Sequence, residues 1–233
     1  MSLLQHIVSD VIQMLYPHTC RGCGRDMLSR DQWLCIRCLS DLPHTQFAYF
    51  PGNDIERVFS GRMPLKAGHS EFYFTKGQLL QHLIHLLKYK GEQDVGIFLG
   101  EMTGQTLLKS GRFQGIDYIV PMPLYPDKEF KRGFNQAAVL GEGISKAMQV
   151  PQLIGEVVRQ RATETQTKKH RTERWENVRD GFKVLHPEKL QGKHILLVDD
   201  VITTGASMEA CGAIILECPG ASLSVASLAH ADK

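Results

Sequence analysis

The chain has 233 residues, enough for one full domain with a small appendage, and its balance of 42% hydrophobic to 22% charged residues is that of an ordinary globular protein. With 27 Lys and Arg against 25 Asp and Glu, the net charge of +2 is too near neutral to predict a nucleic-acid partner from charge alone, so any basic face must be local. No run approaches the ~18 uninterrupted apolar residues of a membrane helix, so no membrane span is expected.

Residues 1–17 place Leu4, Ile7, Val8, Val11, Ile12 and Leu15 at helical spacing before Pro17, which predicts an amphipathic helix packed on the protein. The segment lacks the basic start of a targeting sequence, so a cytoplasmic protein is expected. Cys20, Cys23, Cys35 and Cys38 follow in the spacing C-x2-C-x11-C-x2-C. Paired C-x-x-C knuckles bring four thiolates to one tetrahedral ion, which suits Zn2+ in a small module over residues 18–45. Disulfides fit a cytoplasmic chain poorly, while an iron-sulfur cluster is compatible with the same spacing. Four protein ligands leave no open position, so the ion is expected to be structural. Gly22 and Gly24 suit the tight turns of the first knuckle.

From Asp41 to Gly68 scattered Pro, Gly and Asn predict a connector with short strands, and residues 46–233 are expected to form the main domain. HSEFYFT reads as a strand, GQLLQHLIHLLKYKG as a helix, and residues 92–109 as another helix. His82 and His85 lie three apart on the first of these helices without an acid or thiol nearby, so they are expected to be exposed or hydrogen-bonded. IDYIVPMP is an apolar strand ended by prolines, and NQAAVLGEGISKAM is helical, with Asn135 a suitable N-cap. HILLVDD is a buried strand, residues 208–216 form the next helix, with Cys211 and Cys218 as buried free thiols, and SLSVASLAH closes as a strand. Strands alternating with helices predict an α/β domain around a mostly parallel sheet.

ILLVDDVITTGAS, residues 195–207, holds the most specific chemistry. A continuous apolar strand belongs in the middle of such a sheet, and ligands bind beyond the carboxyl ends of its strands. Asp199 and Asp200 are therefore expected at the site mouth. Thr203, Thr204, Gly205, Ala206 and Ser207 turn the chain into a helix whose free N–H groups suit a phosphate, with Gly205 allowing close backbone approach. Two acids beside a phosphate cradle suit a neutral diol or a Mg2+ ion adjoining that phosphate.

This stretch resembles the phosphoribosyl-pyrophosphate (PRPP) signature of type I phosphoribosyltransferases over all thirteen positions. The resemblance implies that Asp199 and Asp200 hold the ribose hydroxyls, directly or with Mg2+, and that Thr203 to Ser207 bind the 5′-phosphate. Together with YIVPMPLYPDKEFKRGFNQA, RQRATETQTKKHRTERWENVRDGF and the four cysteines, it resembles the ComF family of competence proteins, including its GntX-like members, over nearly the whole chain. The implied fold is type I phosphoribosyltransferase-like with an N-terminal zinc ribbon. In such enzymes the loop after the first strand of this kind grips pyrophosphate; here Pro121, Met122 and Pro123 take that place, with Lys128, Lys131 and Arg132 just beyond.

Residues 159–180 hold seven Lys or Arg against four acids, and in related enzymes a mobile loop in this region closes over the site. Lys168, Lys169, Arg171 and Arg174 are the expected lid or DNA contacts, Trp175 is a candidate stacking surface, and a solvated loop fits the same charge pattern. Purine-salvage relatives carry an acid where Thr203 stands, and glutamine-dependent amidotransferases need an N-terminal cysteine where this chain has Met1-Ser2, so neither activity is expected. The implied alternatives are a transferase of unidentified acceptor, a binder of single-stranded DNA, and a structural partner of a DNA-uptake or helicase assembly.

Overall fold

The computed structural model describes residues 18–27, 32–75, 78–160 and 181–231. The segment read as an N-terminal helix, and the run carrying Lys168, Lys169, Arg171, Arg174 and Trp175, lie outside the described residues.

The cysteine module begins with a two-stranded antiparallel sheet, β1 (His18–Thr19) and β2 (Asp26–Met27), followed by helix α1 (Ile36–Ser40). The connector was expected to hold short strands, but it forms a 3-10 turn at Phe47–Tyr49 and helix α2 (Asp54–Phe59). The cause is local: the Asn53 side chain caps α2 by accepting from the Glu56 N–H at 3.1 Å, and Ile55 and Phe59 bury one face.

The main sheet contains β3 (Gly68–Tyr73), β4 (Tyr118–Pro121), β7 (His194–Ile202) and β8 (Ser222–His230) in the order β3-β8-β7-β4, all parallel. Between β3 and β4 run α3 (Leu79–Tyr89) and α4 (Gln93–Ser110). Between β4 and β7 come α5 (Pro126–Arg132), α6 (Gln136–Met148), an antiparallel pair β5 (Val157–Arg159) and β6 (Phe182–Val184), and α7 (Pro187–Leu190). Helix α8 (Ala206–Leu216) joins β7 to β8.

Strand alternation divides the core in two. Leu196 and Val198 of β7 face a cluster with α3, α4, α6 and the cysteine module, whereas Ile195 and Leu197 face a cluster with α2 and α8. Helices α4 and α6 cross at backbone contact: a Cβ on Gly100 would lie 2.2 Å from the Leu140 carbonyl oxygen, and one on Gly143 would lie 2.1 Å from that of Ile97. On the β3 edge, buried Glu71 accepts from His44 Nδ1 and His69 Nε2, each at 2.9 Å, and from the Thr106 hydroxyl at 3.1 Å. Burial raises its pKa, but the two histidines outweigh that and hold it at about 2.

Candidate sugar-phosphate site and cysteine cluster

Helix α6, which follows β4, covers one face of the sheet and α8, which follows β7, covers the other, so a crevice opens between the carboxyl ends of these adjacent strands. A cavity of about 160 Å3 lies there, lined by Asp199, Asp200, Ser207, Lys88, Lys128, Arg132 and Arg159 among others.

The apolar strand was expected to stop at the acids, yet β7 runs on through them to Ile202, pairing Asp199 with Ser227 and Ile202 with His230. Successive residues of a strand point to opposite faces. Asp200 therefore shares the parity of Leu196 and Val198, and meets Lys88 of α3 in an ion pair. Asp199 shares the parity of Ile195 and Leu197, and accepts from the Asp200 N–H at 2.8 Å. Burial, reinforced by the Asp200 charge, pushes Asp199 up to about 7 despite that N–H, Lys88 and Arg159. Beneath it, burial raises the Cys211 thiol, and Asp199 adds to the effect.

Beyond β7, Thr203, Thr204, Ala206 and Ser207 are exposed and Gly205 is buried; of these five only Ser207 lines the cavity. Gly205 has φ of 73°, and a Cβ there would stand 2.8 Å from Phe59 Cε1 and 2.9 Å from Val58 Cγ1. Its expected service was close approach to a ligand, but the missing side chain makes room for α2. Arg62 braces the turn by donating to the Thr204 carbonyl at 2.8 Å and to buried Glu209, Nε to Oε2 at 3.0 Å.

On the opposite wall, Met122 and Pro123 line the cavity, while Pro121 is buried at the end of β4 and lines a neighbouring cavity. The Met122 N–H donates to the Val198 carbonyl at 2.7 Å, and its own carbonyl accepts from Asn135 Nδ2 at 2.9 Å. Asn135 also caps α6, its Oδ1 accepting from the Ala137 N–H at 3.0 Å, so one residue fixes both the loop and the helix start. Arg132 reaches the cavity and donates to Gln136 Oε1 at 2.6 Å; Lys131 is exposed and does not line it. Lys128 lines it instead.

Sequence reasoning did not single out Lys88, since a lysine in the last turn of an amphipathic helix is ordinary there. Arg159 was counted only within a basic run. Its guanidinium lies 3.9 Å from the Tyr125 ring centroid and 5.0 Å from that of Phe182, and its buried Nε has no hydrogen-bond partner among the described residues. Flanked by these rings, the guanidinium is held by cation–π contacts.

The four cysteine sulfurs lie within 4.8 Å of one another. The first knuckle closes with the Gly24 N–H on the Cys20 carbonyl at 2.8 Å, and the Cys35 N–H donates to Cys20 Sγ at 3.2 Å. Burial raises the Cys20 thiol, but N–H donors of Cys35, Cys23 and Gly22 outweigh it and hold the group at about 6. Preformed donors to a thiolate, beside three more sulfurs, fit a soft metal ion. The module docks on α3: His82 Nε2 lies 3.1 Å from the Arg21 carbonyl oxygen, and Arg21 pairs with Glu92 at 3.4 Å. His85 packs against Tyr89 with the rings tilted by 43° and their centroids 5.0 Å apart.

The family described as phosphoribosyl transferase domain matches residues 135–233, from the α6 cap through β8. The DNA utilization protein YhgH of Escherichia coli (strain K12) is 31% identical over 149 residues, covering 63% of this chain and 65% of the relative, so the match spans just under two thirds of that protein's length. Competence protein F of Haemophilus influenzae is 26% identical over 216 residues, covering 91% of this chain and 90% of the relative. Among solved structures, the glutamine PRPP amidotransferase of B. subtilis complexed with ADP and GMP is similar with a TM-score of 0.44 and 16% identity, covering 62% of this chain and 30% of that one. No helix among the described residues is long and apolar enough to cross a membrane. The chain is thus similar to DNA utilization protein YhgH and competence protein F along most of its length; residues 135–233 match the phosphoribosyl transferase domain, on an α/β fold with a parallel central sheet preceded by a four-cysteine cluster able to hold a metal ion.

Proposed function

We propose that this protein holds PRPP, or a related ribose phosphate, in the crevice between β4 and β7, and that it serves in DNA uptake or utilisation. The observation that carries the reading is the lining of one cavity by Asp199 and Asp200 together with Lys88, Lys128, Arg132 and Arg159, beside the start of α8. Cations outnumber carboxylates, which suits a polyanion, while the carboxylates suit neutral hydroxyls.

In this reading Asp199 and Asp200 accept hydrogen bonds from the ribose hydroxyls. The N–H groups and hydroxyl at the start of α8 donate to the 5′-phosphate, with Gly205 and Arg62 fixing the turn. Arg132, Lys128 and Arg159 draw the pyrophosphate toward Met122 and Pro123. The carboxylate donors fit Mg2+, which would orient the pyrophosphate and offset its charge as it leaves C1. We assign zinc to the four cysteines as a structural ion.

Single-stranded DNA fits the rim of the same cavity. Tyr89 and Phe130 are exposed large aromatics, at 64% and 90% exposure, and Arg132 lies over the Tyr89 ring at 5.8 Å. Stacking surfaces interleaved with cations suit unpaired bases. The name of the relative YhgH, a DNA utilization protein, supports the same direction. An active transferase acting on an unidentified acceptor is the alternative reading of the PRPP site.

Calorimetric titration with PRPP, with and without Mg2+, tests the proposal. Binding that depends on Mg2+ and is lost in Asp199→Asn/Asp200→Asn is expected. Equal affinity in that variant, with its fold intact, would remove the site.

A further inference from the structure

We infer that Lys88 is an exchangeable resident cation: it pairs with Asp200, yields that carboxylate to a divalent metal ion, and turns to the incoming pyrophosphate. The inference rests on the sugar-phosphate reading above and extends it to a residue outside the recognised motifs.

Lys88 Nζ forms an ion pair with Asp200 Oδ2, and the two side chains are 21% and 16% exposed. An ammonium therefore occupies the carboxylate that a metal ion or ribose diol would use. A resident cation competes with both, because a metal ion brought to Asp200 meets a like charge a few ångströms away. Yet Lys88 lines the same cavity as Lys128, Arg132 and Arg159, so a short rotation of its flexible stem leaves it among the groups suited to a polyanion. Asp199 and Asp200 are the carboxylates in that lining, and the other three cations remain there after the exchange.

The root of the side chain is held from the other end of α3. A Cβ on Gly22, within the first cysteine knuckle, would lie 2.7 Å from Leu79 Cδ1, so the knuckle packs directly on the first turn of α3. His82 one turn later meets the Arg21 carbonyl oxygen at 3.1 Å. The helix is thus clamped at its start by the cysteine module and presents Lys88 to the acids from its last turn. Only the side chain has to move for the exchange.

The test is Lys88→Met, with Lys88→Arg as the charge-retaining control, probed separately with Mn2+ alone and with inorganic pyrophosphate alone. Free Mn2+ is read by electron paramagnetic resonance and pyrophosphate binding by calorimetry. Removing the resident charge should tighten Mn2+ by about tenfold and weaken pyrophosphate by about tenfold, an opposed pair of shifts that a purely structural role would not produce. Lys88→Arg should keep the wild-type ordering in both. Unchanged Mn2+ affinity in Lys88→Met overturns the inference, as does weakening of both ligands or unchanged pyrophosphate affinity. Should the opposed shifts appear while PRPP itself fails to bind the wild type, the exchange stands and the ribose-phosphate reading falls.

Discussion

Replacing Gly205 with Ala tests the packing that shapes the turn between β7 and α8. Gly205 combines φ of 73° with ring atoms of Phe59 at 2.8 and 2.9 Å from where a Cβ would sit. A left-handed conformation costs an L residue about 1 to 2 kcal/mol. Forcing a methyl group against a buried ring typically adds about 1 to 3 kcal/mol. The expected loss of stability is therefore about 2 to 5 kcal/mol, a large share of what a typical domain has. Urea unfolding should show a lower midpoint with little change in slope. The two contributions can be separated, since a Gly205→Ala/Phe59→Leu cycle should show favourable coupling from relief of the contact while leaving the backbone cost in place. A loss below about 0.5 kcal/mol would refute both the assigned conformation and the packing of α2 against the turn.

Other outcomes follow from the same physics. Glu71 is held at about 2, below its ordinary 4.5, so it stabilises the fold fully above pH 4.5 and ceases to do so as pH falls toward 2. That contribution is about 3 kcal/mol for a group this buried, and Glu71→Gln should remove that limb of the acid unfolding curve; an unchanged curve would contradict the histidine-held carboxylate. Metal removal from the cysteine cluster should lower Tm by about 5 °C or more and shift Trp33 fluorescence to the red in a Trp175→Phe background, because Trp33 packs within the module against the core. Elemental analysis showing full metal loss with an unchanged Tm would count against the structural role.

Part of the strand and helix order was legible because β4 and the first half of β7 read as continuous apolar runs and α3 and α6 carry an apolar stripe. Residues 195–198 and the apolar positions of α3 are of this kind. Short elements were not legible in the same way. Helix α2 has only six residues, and its signal is the Asn53 cap with Ile55 and Phe59 four apart, easily lost among Gly and Pro neighbours. Helix α5 starts on Pro126, which also marks turns. At the site, the acids and the turn after them were visible as types in a pattern, but their division between two faces follows from β7 continuing to Ile202. Lys88 and Arg159 come from elements distant in sequence, and their convergence on the acids depends on tertiary packing that no local pattern encodes.

The central claim is that the crevice between β4 and β7 is a ribose-phosphate site. Its most direct measurement is a crystal structure of the metal-loaded protein soaked with PRPP and Mg2+. The account predicts the ribose hydroxyls on Asp199 and Asp200, the 5′-phosphate against residues 203–207 and the pyrophosphate beside Met122, Pro123 and Arg159. A fully occupied ligand bound elsewhere, or an empty crevice at saturating PRPP, would contradict it.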